Sequence, residues 1–173
     1  MQIGRGIGSG IAATAIVVGV MFATAPARAG AWVSDAKTGC QVWNPNPQLG
    51  ESVAWSGSCT NGHAEGQGIV RWSKNGAPSE TDEGVWRDGR QANKGTQSWP
   101  TGRYEGELAD GEPNGQGVLT LQKLRYEGDF RDGKPNGVGT LTIGGETVHG
   151  SWNDGCLQGA RKASIGIPLS ACH

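Results

Sequence analysis

The chain has 173 residues, 31 of them glycine, and a formal net charge of −1. Glycine stands far above its ~7% share of ordinary usage, yet it does not recur at every third position, which excludes collagen. Near-neutral charge removes the footing for a basic nucleic-acid binder, and an apolar share of only 35% weighs against a large enzyme with a deep closed core.

The first 29 residues read as a secretory signal. Arg5 supplies a positive start, Ile11 to Ala25 is almost wholly apolar, and Ala27-Arg28-Ala29 has the small-x-small form of a cleavage site, so cleavage is expected before Gly30. The run is shorter than the ~20 residues of a spanning helix. No cysteine stands at a lipoprotein position and no twin-arginine pair occurs. The expectation is an exported chain, periplasmic or secreted.

A lead-in over 30–53 follows, holding Trp32, Cys40, Trp43 and the cluster Asn44-Pro45-Asn46-Pro47. Proline at those spacings forbids a helix, and an irregular segment covering one sheet end is predicted. Export also decides how the four cysteines are read: an even count in a small exported chain points to cystines. Three pairings are possible. Proximity in the chain favours Cys40 with Cys59 and Cys156 with Cys172. No CxxC occurs and His63, His149 and His173 are scattered, so no metal site is expected.

Residues 54–160 repeat. Gly84, Gly106, Gly128 and Gly150 are spaced by 22 residues, and Gly57 precedes the first of them by 27. Five residues after each comes a turn glycine preceded by Asn or Asp, as in Asp110-Gly111 and Asp132-Gly133. That dipeptide is a strong hairpin-turn signal, because glycine accepts positive φ without a steric penalty. Between turns the side chains alternate. One face collects Trp55, Trp72, Trp86, Trp99, Tyr104, Tyr126, Phe130 and Trp152, and the other collects Glu83, Glu105, Glu127 and threonines. The extra residues between Trp72 and Glu83 are predicted to form an enlarged loop. The fold class is therefore all-β, an elongated single-layer antiparallel sheet of tandem hairpins, since a lone hairpin is marginal in water. A tail over 161–173 is expected to fold back, bringing Cys172 to Cys156 as a cap.

The units Tyr104-Glu105-Gly106-Glu107-Leu108-Ala109-Asp110-Gly111 with Asn114-Gly115-Gln116-Gly117, and Tyr126-Glu127-Gly128-Asp129-Phe130-Arg131-Asp132-Gly133 with Asn136-Gly137-Val138-Gly139, resemble MORN repeats (membrane occupation and recognition nexus). The match is partial over Glu83 to Gly95 and weaker at Trp55 to Gly68 and His149 to Gly159. The resemblance implies a binding or scaffolding module acting on phospholipid headgroups, membranes, protein partners or copies of itself. Some relatives carry a kinase or methyltransferase domain beside the repeats. No such domain is expected beside the repeats, lead-in and tail of this chain, and no GxxxxGK[ST] phosphate motif occurs in it.

The residues themselves weigh three roles. The aromatic stripe Trp55, Trp72, Trp86, Trp99, Tyr104, Tyr126, Phe130 and Trp152 supplies candidate binding residues for a protein partner, a second copy or a glycan ring, beside the plainer reading of core filling. The carboxylate ladder Glu83, Glu105, Glu127 could do acid–base work, but a solvated outer face is the simpler expectation, so no catalytic residue and no cofactor is assigned. Electrostatic docking on anionic lipid lacks the clustered Lys/Arg it needs, and no nucleic-acid partner is expected. Protein interaction or self-association is the leading expectation, with phospholipid or cell-wall glycan binding as the alternative and a small hydrolase behind both.

Overall fold

The computed structural model describes residues 30–159 and 162–172; the expected signal segment, Ala160, Arg161 and His173 lie outside them. The strands are β1 (Ala31–Ser34), β2 (Gln41–Asn44), β3 (Glu51–Trp55), β4 (Ser58–Thr60), β5 (His63–Lys74), β6 (Ala77–Arg87), β7 (Arg90–Trp99), β8 (Gly102–Ala109), β9 (Glu112–Leu121), β10 (Leu124–Arg131), β11 (Lys134–Ile143), β12 (Glu146–Asn153) and β13 (Cys156–Leu157). They form one open 13-stranded sheet ordered β1-β2-β5 and then consecutively to β13, with β3 and β4 both against β5. The pairings are antiparallel apart from one parallel contact, Gln41 with His63. The all-β, single-sheet architecture of hairpin repeats is thus the one the periodicity predicts.

Turn chemistry sets the hairpins. Asp110 (φ 53°) and Gly111 (φ 85°) both sit in the left-handed region, the signature of a two-residue turn whose twist matches the strands. The same pattern recurs at Asn61-Gly62, Asp88-Gly89, Asp132-Gly133 and Asp154-Gly155. The last four of these turns also fasten their hairpins to the one before. The N–H of Gly89 donates to Ala64 O (2.9 Å), Gly111 to Gln91 O (3.1 Å), Gly133 to Pro113 O (3.0 Å) and Gly155 to Pro135 O (2.9 Å).

A second set of glycines has a different task. Gly68, Gly84, Gly95, Gly106, Gly117, Gly128, Gly139 and Gly150 pair in register across β5 to β12, making a row perpendicular to the strands. A Cβ on Gly117 would occupy the position of the Tyr104 ring, and one on Gly139 that of Tyr126. The row is the bed on which the rings lie. Their polar tips close back on the same repeat: Tyr104 OH donates to Glu107 O (2.8 Å), Tyr126 OH to Asp129 O (3.1 Å) and Trp55 Nε1 to Ser58 O (2.8 Å). The rings then pack edge to face along the sheet, Tyr104 on Phe130 (5.1 Å), Phe130 on Tyr126 (5.2 Å) and Tyr126 on Trp152 (5.1 Å). Such contacts add to the area term.

Two segments differ from expectation. The lead-in is a β-hairpin, with Trp32 opposite Trp43 and Val33 opposite Val42. Asp35 makes it possible. One carboxylate oxygen accepts the turn N–H of Lys37 (2.7 Å) and the other caps the N–H of Trp55 at 2.8 Å, and these backbone donors, that of Trp55 foremost, hold the Asp35 pKa below its usual value. Strand β2 then crosses the row of turns, Gln41 N donating to Gly62 O (2.8 Å) and Trp43 N to Gly89 O (2.7 Å), while the Arg90 guanidinium lies 4.1 Å over the Trp43 ring. The stretch between Trp72 and Glu83 is no enlarged loop either. Strands β5 and β6 extend to a tight turn at Asn75 (φ 52°) and Gly76 (φ 81°), and the added length gives β3 its partner, Glu51 to Trp55 against Val70 to Lys74.

Both cystines are formed, Cys40 with Cys59 and Cys156 with Cys172. The second holds the tail against the last hairpin. There Ile165 is buried and its N–H donates to Gly155 O (2.9 Å).

Candidate functional site

The aromatic face and the opposite face have different chemistries. Opposite the rings, the glycine row floors a groove of about 600 Å³ that spans β5 to β10, walled by Gln67, Lys94, Gln116 and the ladder Glu83, Glu105, Glu127. Two rungs carry their own counter-ion: Arg103 reaches Glu105 at 2.6 Å and Arg125 reaches Glu127 at 2.7 Å. All four side chains are exposed, so each pair adds ~0–1 kcal/mol and mainly lowers the net charge of the wall. Gln116 donates to Asp129, whose other oxygen accepts Val138 N at 2.9 Å. Hydrogen-bonding side chains therefore recur along the groove at one repeat per two strands. Among the described residues no three His, Cys, Asp or Glu side chains gather as a metal site.

The structure places seven of the eight aromatic candidates in the core. Trp55, Trp72, Trp86, Tyr104, Tyr126, Phe130 and Trp152 are buried, and only Trp99 remains half-exposed. Burial, helped by the Glu107 and Asp129 charges, raises both tyrosine pKa values, that of Tyr126 to about 12, so both stay neutral donors near pH 7. The rings fall into two clusters. One holds Val53, Trp55, Val70, Trp72 and Trp86; the other runs from Tyr104 through Trp152 to Ile165.

The second repeat separates them. In the strand column that elsewhere carries Trp55, Tyr104 and Tyr126 it has Asp82, and where the return strand elsewhere carries Val70, Leu119 and Leu141 it has Gln97. Asp82 and Gln97 are register partners. Gln91 fills the place of the missing ring over Gly84 and Gly95, donating to Glu83 O at 3.1 Å. Gln97 donates to Gln91 Oε1 (3.2 Å) and Gly111 O (2.8 Å). A polar seam thus crosses the apolar face. These three residues were legible as polar side chains in apolar columns, but counting glycines alone passes over them.

Asp82 is the seam's least satisfied member. It is 4% exposed; one oxygen accepts Trp72 Nε1 at 2.7 Å, and the other meets no donor except the neighbouring Glu80 carboxyl when the pair holds a proton. Burial, and then the neighbouring Glu80 charge, push its pKa well above the usual carboxylate value, and burial raises Glu80 as well, with Glu51 adding to it. The folded-state values exceed the unfolded ones, so this contribution to stability is complete below the ordinary carboxylate range and is lost as pH rises through the raised values. Asp82→Asn keeps an acceptor for Trp72 and turns a donor toward Glu80. The variant is expected to gain about 1–2 kcal/mol at pH 8, the scale of a relieved buried polar group, and almost nothing at pH 4. Urea unfolding at the two pH values measures this; an equal effect at both would remove the ionisation argument.

Beside the seam's upper end lies a smaller cavity of about 190 Å³, lined by Pro78, Ser79, Glu80, Ser98, Trp99 and Pro100 among others. Among the described residues no helix is long and apolar enough to cross a membrane. The family model described as the MORN repeat matches three consecutive stretches, residues 83–102, 104–123 and 126–144. No curated protein matches the chain.

Proposed function

We propose that this chain, as one that carries three consecutive MORN repeats, is a non-catalytic binding or scaffold protein that holds a protein partner, in an exported setting at the cell envelope. The groove on the polar face carries the reading. It presents one set of hydrogen-bonding rungs per repeat on a floor of bare backbone, which suits an extended partner laid across several hairpins and offers no converging nucleophile, base and orienting group for catalysis. The buried aromatic residues support this groove from behind, and of the eight Trp99 alone keeps a surface for contact. The two cystines are compatible with an oxidising, exported environment. Anionic lipid is the weaker ligand, since Arg103 and Arg125, the arginines in register along the sheet, are held by Glu105 and Glu127.

Crosslinked capture from the envelope fraction tests the proposal, comparing the natural chain with Glu105→Arg/Glu127→Arg. Both positions are exposed and each exchange breaks a pair worth ~1 kcal/mol or less, so the variant folds while the groove wall reverses sign. A specific protein captured by the natural chain should fall at least ten-fold with the variant. No captured partner together with a monomer by light scattering would count against the proposal.

A further inference from the structure

The small cavity beside the polar seam has a chemistry the groove does not share. We propose that it receives the ammonium or guanidinium group of a lysine or arginine side chain presented by the protein partner. The inference rests on the binding reading above and adds the chemistry of one anchor.

Register builds the site. Thr81 pairs with Ser98, which sets Glu80 of β6 across from Trp99 of β7 on the apolar face, and both line the cavity, with Pro78 and Pro100 closing its sides. Elsewhere in this pair of columns the sheet carries Val53 with Trp72 and Leu124 with Ile143; Glu80 stands between two indoles, paired in register with Trp72 of β5 on one side and set across from Trp99 on the other. Behind Glu80 on the same face is the buried Asp82 carboxyl, whose second oxygen has only the Glu80 carboxyl as a neighbour to share a proton with. Glu51 of β3 adds a third negative charge near Glu80. Lys74 of β5 is exposed and stands opposite Glu51 in register. No salt bridge reaches Glu80 or Asp82 among the described residues.

Two carboxyls sharing a desolvated site raise each other's cost of ionisation. An organic cation relieves that cost directly, and an indole attracts it as well. A sugar hydroxyl could donate to Glu80 but would leave the like-charge pair uncompensated. The volume, about 190 Å³, is below the ~300 Å³ at which pockets begin to take drug-sized ligands; it suits the end of one side chain.

The test titrates the full chain with Nα-acetyl-arginine amide and with butylguanidinium, following the Trp99 indole N–H by NMR, assigned from Trp99→Phe. Both cations should give saturable shifts, weakened at least ten-fold by the isosteric Glu80→Gln and strengthened as rising pH takes the proton from the Glu80–Asp82 pair, which Glu51 and Lys74 flank. No saturable shift, an equal response to neutral butylurea, or preferential binding of glucose overturns the assignment. Capture of the envelope partner by Glu80→Gln separates the sources: reduced capture fixes the cation on the partner, whereas undiminished capture with lost probe binding overturns the partner side chain in favour of a free amine. Failure of the natural chain to capture any partner strikes the binding reading, and failure of the titration strikes this cavity alone.

Discussion

Truncating Tyr126 to alanine should lower the unfolding free energy by about 3–5 kcal/mol, the cost of deleting a buried aromatic ring, and drop the melting temperature by about 10 °C or more. The ring is fully buried, packs edge to face on Phe130 and Trp152, and closes its hydroxyl on Asp129 O. Its bed permits a sharper experiment. Gly139 does not have a left-handed φ, so alanine there meets no backbone strain, and its nearest obstacle is the Tyr126 ring. Alone, Gly139→Ala should cost about 1–3 kcal/mol as overpacking. In the Tyr126→Ala background most of that cost should vanish, a coupling of about 1 kcal/mol or more in a double-mutant cycle. Additive effects within ~0.5 kcal/mol would mean that ring and glycine do not depend on each other.

Replacing Cys156 and Cys172 by serine should cost about 3 kcal/mol, because the bridge spans 16 residues and a loop of that size removes about that much from the unfolded chain's freedom. The location predicts more than a number. The tail contributes Ile165 to the second aromatic cluster and ties Leu157 N to Ala163 O at 3.0 Å, so its release uncovers Leu157 and Trp152. Limited trypsin digestion should then cut at Lys162 many times faster, while the hairpins from Tyr104 to Asp132 stay protected. An unchanged melting temperature and cleavage rate would show that packing alone holds the tail.

What the sequence makes legible follows from how strongly one residue type dictates the backbone. Asp110-Gly111 and its counterparts can adopt few other conformations, so the hairpins, their order and the single sheet could be read without structure. Alternation then assigned faces, and neighbour distance chose the cystine pairs. Other features need partners remote in sequence. Asp35 looks like an ordinary turn residue until Trp55 N is found on its side chain, and that contact is what orders the lead-in as a hairpin. Asn75-Gly76 carried the same turn signal as the repeats, yet the longer spacing suggested a loop, because nothing local announces that β3 will occupy the added length. The glycine row was visible as a period, but its reason, room for rings on the next strand, depends on register. Trp99 looked like seven other aromatic residues; its difference comes from Glu80 across the strand and from the polar columns beside it.

The seam has a consequence for how the molecule comes apart. In a repeat array each unit touches only its neighbours, and stability is nearly a sum of local terms and interfaces. The first cluster ends at Trp86 and the second begins at Tyr104, with Asp82, Gln91 and Gln97 at the junction in place of apolar contacts. Apolar coupling across that junction is therefore expected to be weaker than elsewhere in the sheet, and unfolding followed residue by residue by hydrogen exchange is expected to show the two clusters opening as separate units, each held at its far end by a cystine.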